Sequence, residues 1–79
     1  MPKKVIKNND YYYNIVRKNI RKYRIQKNYT QKKLSEEAEL SVDFLSEIES
    51  LKRNKSFSIA TLGRIADTLD IPIAKFFKD

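Results

Sequence analysis

The chain has 79 residues, a formal net charge of +7, a calculated pI near 9.7, and neither cysteine nor histidine. That inventory excludes disulfide stapling, Cys/His metal ligation and nucleophile–histidine catalysis, and the length allows one small core. No apolar run is long enough for a transmembrane helix or a secretory h-region, so a cytoplasmic protein is expected, with no membrane partner, no cofactor and no enzymatic activity. The charge is divided unevenly. Residues 1–33 carry eleven bases and one acid, whereas residues 34–79 carry six bases and nine acids. A basic half is an electrostatic footprint for a polyanion, although a solvated lysine-rich surface gives the same count.

In chain order, residues 1–13 read as a basic N-terminal arm and residues 14–79 as one folded domain. Tyr11-Tyr12-Tyr13 leads into a first helix over about 14–27, whose inward face is Val16, Ile20 and Tyr23, with the stem of Lys27 at its end. Asn28 ends it, because Asn tolerates the left-handed conformation at C′. Thr30 caps a second helix over 31–38, with Leu34 and Ala38 inward. Ser41 caps a third over 42–50, where Phe44, Leu45 and Ile48 make the apolar face. A connection of three or four residues between two such short helices forces a steep crossing, the geometry of a helix-turn-helix. Residues 51–57 form a basic loop. A fourth helix runs from a Ser58 cap to about Leu69, with Ile59, Leu62, Ile65, Ala66 and Leu69 inward and Gly63 kept for close helix approach. Pro72 suits the first position of a short fifth helix, 73–77. The expected architecture is all-α, with five helices.

The string Thr30 to Glu49, TQKKLSEEAELSVDFLSEIE, resembles the Cro and lambda-repressor-like helix-turn-helix family, also called the XRE family. Thr30-Gln31 matches the start of that family's second helix, Leu34-Ser35 and Ala38 its inward positions, and Leu45-Ser46-Glu47-Ile48-Glu49 its third helix. Ile20, Tyr23, Arg24, Asn28 and Tyr29 fall at first-helix positions. Lys52-Arg53-Asn54, Thr61-Leu62, Ile65-Ala66, Leu69 and Phe76-Phe77 fit the later part. The resemblance implies a lambda-repressor-like domain that binds duplex DNA as a homodimer and regulates transcription, in the manner of a phage-type repressor or a restriction–modification controller. An alternative keeps the fold and changes the partner: an antitoxin or anti-repressor that uses the acidic third helix to bind another protein.

The resemblance also implies site residues. Gln31 would donate to a DNA phosphate, with Lys32 beside it. Helix three would present its first turn to the major groove, through Ser41, Val42, Asp43, Phe44, Ser46 and Glu47. The set lacks the usual base readers. Asp43 or Glu47 can accept from cytosine N4 and Val42 can touch a thymine methyl; otherwise helix three is mostly structural and Phe44 packs inward. Arg24 and Glu49 would form an ion pair between helices one and three. Lys52, Arg53, Asn54 and Lys55 would grip the phosphate backbone, and Lys3, Lys4 and Lys7 resemble an arm that reaches DNA. The chain departs from the family at Glu39, Leu51 and Asp70, where glycine is usual, and the link Lys55 to Ala60 is about two residues longer. Ile71, Ile73, Phe76 and Phe77 offer more apolar area than a five-residue helix can bury under itself, which marks them as a dimer interface; the competing reading has Phe76 in the monomer core and Phe77 outside.

Overall fold

The computed structural model describes residues 4–79, so Lys3 of the basic arm lies outside the described residues. Four α-helices follow one another: α1 (Asp10–Gln26), α2 (Gln31–Glu37), α3 (Val42–Glu49) and α4 (Ile59–Leu69). The fifth element is a 3-10 turn, Ile73–Phe77, not an α-helix. Pro72 presets its start, and five residues are too few to repay an α-nucleus. Among the described residues there is no strand. No described helix is long and apolar enough to cross a membrane.

Three hydroxyl caps set the helix starts. The side-chain oxygens of Thr30, Ser41 and Ser58 accept the backbone N–H of Lys33, Phe44 and Thr61, each at 3.0 Å. Each removes one orphan donor from a first turn. α1 starts four residues before the sequence reading places it. Asn8 Oδ1 accepts the Asp10 N–H at 3.0 Å, and the Asp10 carboxylate sits in the first turn, where the helix dipole favours an anion. Tertiary contact holds the extra turn in place: Tyr13 meets the Phe57 ring edge-on at 5.0 Å and its hydroxyl donates to the Phe57 carbonyl at 3.3 Å.

One core joins all five elements. It contains Val16 and Ile20 of α1, Leu34 and Ala38, Leu45 and Ile48 of α3, Leu62, Ile65, Ala66 and Leu69 of α4, and Phe76. The i, i+4 and i, i+3 spacings that predict these faces are the spacings that meet in the centre. Ile59 is the exception. It was expected inward, but it is 69% exposed, because the chain enters α4 from the solvent side and the inward arc begins only at Leu62. Gly63 also departs from expectation: a methyl group added there would meet nothing within 4 Å, so close helix approach does not require it. Lys27 lies outside the core; its ammonium donates to the Thr68 carbonyl at 3.3 Å.

Two family glycine positions keep the left-handed backbone without glycine. Glu39 has φ 58° and Asp70 has φ 57°. A left-handed conformation costs a non-glycine residue roughly 1–2 kcal/mol. At Glu39 the turn is held from outside, since the Arg64 guanidinium donates through Nε and Nη2 to the Ala38 carbonyl at 3.1 and 2.8 Å, and also reaches the Glu39 carbonyl. Asn28 has φ 61°, the conformation expected of it as the residue ending α1. Leu51 needs no such conformation, because α3 ends at Glu49 and Ser50 is extended.

Candidate nucleic-acid interface

α2 and α3 cross over the turn Ala38–Ser41 and leave the outer row of α3 in solvent. The inner row is anchored. Arg24 Nε donates to Glu49 Oε2 at 2.7 Å and Arg24 Nη2 donates to Glu49 Oε1 at 3.0 Å, a two-pronged contact between buried side chains. Arg24 Nη1 donates to the Tyr29 carbonyl at 2.8 Å, so the same guanidinium also closes the link between α1 and α2. Two parallel charge-assisted bonds fix orientation as well as distance.

Gln31 belongs to this network. Its Nε2 donates to Glu49 Oε1 at 3.1 Å, and the side chain is half-buried. The residue expected to face a phosphate thus ties the start of α2 to the ion pair, with its second amide hydrogen still to give. Lys32 is exposed beside it.

On the outer side, Val42, Asp43 and Ser46 are exposed and Glu47 is half-buried. Asp43 and Glu47, one turn apart, share a face. Ser41 lies at the edge with its hydroxyl engaged as the α3 cap. Phe44 does not stand in this row: it packs against the core, because it sits in the same arc as Leu45 and Ile48, and Lys55 Nζ lies 5.7 Å from its ring centre. Lys52, Arg53, Asn54 and Lys55 are all exposed directly after α3, with Asn54 turning the chain at φ 52°. Arg53 folds back to bring Nη1 within 3.6 Å of Glu47 Oε2. Asp43, Ser46, Glu47 and Arg53 line one shallow depression on the outer face of α3.

The apolar C-terminal residues divide. Phe76 is fully buried in the monomer core, edge-on to Tyr23 at 5.2 Å, and Ile71 packs against the same core. Phe76 is therefore removed from any surface contact, since the last turn uses its larger ring to close the core beneath it. Ile73 and Phe77 remain exposed, Phe77 by 47%. Phe77 borders an apolar groove of about 150 Å³ together with Tyr12, Tyr13, Phe57 and Ile59.

Two buried polar residues of α1 escaped the sequence reading. Arg17 is fully buried beside the rings of Tyr13 and Phe57, and its Nη1 donates to the Ile48 carbonyl at 3.0 Å, satisfying a carbonyl at the end of α3. Burial pushes its pKa below the usual arginine range, while Asp10 and Tyr13 act the other way; an arginine stays charged even so. Asn19 Nδ2 donates to the carbonyls of Phe76 and Lys78, both at 2.7 Å, and so pins the C-terminal segment to α1. The signal was present in the spacing: Tyr13, Arg17, Ile20 and Arg24 follow i, i+4, i+7, i+11, one helix stripe.

Residues 20–76 match the family model described as Helix-turn-helix. Among solved structures, the chain is similar to the wild-type restriction-modification controller protein C.Esp1396I, with a TM-score of 0.75 and 27% identity over 85% of this chain and 84% of that one. It is also similar to SinR, a master regulator for biofilm formation solved in complex with DNA, with a TM-score of 0.72 and 27% identity over 80% of this chain and 98% of that one. A hypothetical transcription factor from Neisseria shares the fold at a TM-score of 0.78 and 14% identity, over 99% of this chain and 87% of that one. No curated protein sequence matches significantly.

Proposed function

This chain belongs to the XRE-type helix-turn-helix family, and from that premise we propose that it regulates transcription by binding duplex DNA as a homodimer, with α3 in the major groove. The observation that carries the reading is the division of α3 into two rows. The inner row is locked to α1 through Arg24 and Glu49, and the outer row lies open beside the exposed run Lys52 to Lys55. A rigid helix with one free face and cations at its end suits a groove flanked by phosphates. Likeness to SinR, a protein solved with DNA, and to a restriction-modification controller supports the same reading.

Gln31 donates to phosphate with the amide hydrogen that Glu49 leaves free. Lys32, Lys52, Asn54 and Lys55 hold the backbone, and the basic arm at Lys4 and Lys7 adds to the attraction. Val42 and Asp43 face base edges. The homodimer uses the apolar surface of Ile73, Phe77, Tyr12 and Ile59, and binds two half-sites about 34 Å apart, one DNA turn. The acidic outer row favours one other reading, a module that binds a basic protein through α3.

Salt dependence of duplex binding separates these readings. Counterion release should give a log–log slope of about 0.9 per phosphate neutralised, and Lys52→Gln and Lys55→Gln together should lower affinity for every sequence and flatten the slope. A wild type without affinity for duplex DNA at low salt would overturn the regulator reading. Sedimentation equilibrium on the wild type and on Phe77→Lys tests the dimer: the substitution should leave a monomer, and unchanged assembly would place the interface elsewhere.

A further inference from the structure

We propose that Arg53, drawn towards the outer face of α3 by Glu47, reads a guanine in each half-site, and that Glu47 acts as a positioning residue and not as a cytosine reader. The inference rests on the DNA-binding reading above and adds the residue that supplies specificity. The eight residues of α3, VDFLSEIE, contain no Lys, Arg, Asn or Gln. Its outer row therefore brings two carboxylates, Asp43 and Glu47, towards a groove with phosphates on both rims. A reading face of that kind needs a cation from outside the helix.

Arg53 is that cation. It lies four residues beyond the end of α3, and its side chain turns back over the helix to bring Nη1 within 3.6 Å of Glu47 Oε2. Lys55, its neighbour in the run, is drawn to the Phe44 ring instead. The contact with Glu47 is an ion pair longer than a hydrogen bond, and the Arg53 side chain is 67% exposed. Among the described residues no acceptor takes a hydrogen bond from its guanidinium. Its five N–H donors are thus free while its position is already biased.

The chemistry then selects the base. A planar guanidinium matches guanine O6 and N7 with two parallel hydrogen bonds held in a rigid fork; a lysine ammonium reaches the same atoms without that fixed geometry. Glu47 approaches the guanidinium at Nη1 alone, and the Arg53 side chain is otherwise largely in solvent. The same contact neutralises a carboxylate that would otherwise repel DNA. Asp43 and Ser46 complete the walls of the depression in which the pair sits.

The test is selection of bound sequences from a random duplex pool, followed by affinity measurements on the preferred site and on its guanine-to-adenine variant. Wild type should show one strongly preferred guanine per half-site. Arg53→Ala should lose that preference, with discrimination falling on the order of tenfold to a hundredfold, whereas Arg53→Lys should keep the salt slope and part of the preference. Glu47→Gln should reduce the same preference by a smaller factor while raising affinity for random duplex. A uniform loss of affinity in Arg53→Ala with the guanine preference unchanged would make Arg53 a phosphate contact and overturn the assignment. A wild type that binds no duplex overturns the regulator reading and this assignment with it.

Discussion

Two glutamate–arginine pairs lie two residues apart on α3. Glu49 meets Arg24 through bonds of 2.7 and 3.0 Å between buried side chains, with Gln31 as a third donor. Glu47 meets Arg53 at 3.6 Å with both side chains reaching solvent. The difference follows from which side of the helix each glutamate occupies. Behind Glu49 stand α1 and the start of α2, so its partner comes from a rigid helix and both its oxygens accept hydrogen bonds. In front of Glu47 there is only the loop after α3. The first pair holds α3 in place, with Nε, Nη1 and Nη2 of Arg24 all engaged; the second holds little, and Arg53 donates no hydrogen bond among the described residues. The same chemistry serves architecture in one case and, as proposed, recognition in the other.

The largest expected effect breaks the inner pair. Arg24→Ala or Glu49→Ala leaves a buried charge without its partner and should cost about 3–5 kcal/mol, read as a lower urea midpoint with unchanged slope. That is a large part of the roughly 5–15 kcal/mol that a native domain typically has. The double variant Arg24→Met/Glu49→Leu should cost much less than either single change, because no charge is stranded. Equal losses in all three would mean that packing and not charge holds α3.

Asn19→Ala extends the comparison to a neutral buried anchor. It leaves the Phe76 and Lys78 carbonyls without their shared donor, at a cost of about 1–3 kcal/mol. Amide exchange should quicken most at residues 73–78, whereas exchange in α3 should follow only global stability. Glu39→Gly probes strain between the two helices. Glycine relieves the left-handed penalty and loses some of that gain to unfolded-state freedom, so a net stabilisation of roughly 0.5–1 kcal/mol is expected in thermal melts. The smallest effect falls on the outer pair: Glu47→Gln and Arg53→Ala should each change stability by less than about 0.5 kcal/mol. A loss comparable to that of Arg24→Ala would erase the distinction between the pairs.

The elements and their caps were legible because their causes are local. Hydroxyls at Thr30, Ser41 and Ser58 and the apolar spacing along each helix act within a few residues. Features that depend on contacts distant in sequence were not legible in the same way. The early start of α1 depends on Tyr13 meeting Phe57, and the left-handed turn at Glu39 is held by Arg64 from α4. Burial of Phe76 in place of Phe77 is a choice between adjacent rings that only the packed core makes. At the interface, the outward row of α3 follows from helical periodicity, with Phe44 excluded by its inward arc. Arg53 was visible as a charge in a run, but its place in front of Glu47 comes from the path of the loop.

The most direct measurement is an amide and arginine side-chain NMR titration of the protein with its selected duplex. The largest shifts are expected on Gln31, Lys32, Val42 to Glu47 and Lys52 to Lys55, with the Arg53 Nε–H moving and the Arg24 Nε–H staying in its buried pair. Shifts confined to the Tyr12, Ile59 and Phe77 surface or to the N-terminal arm, with α3 and Arg53 unmoved, would contradict it.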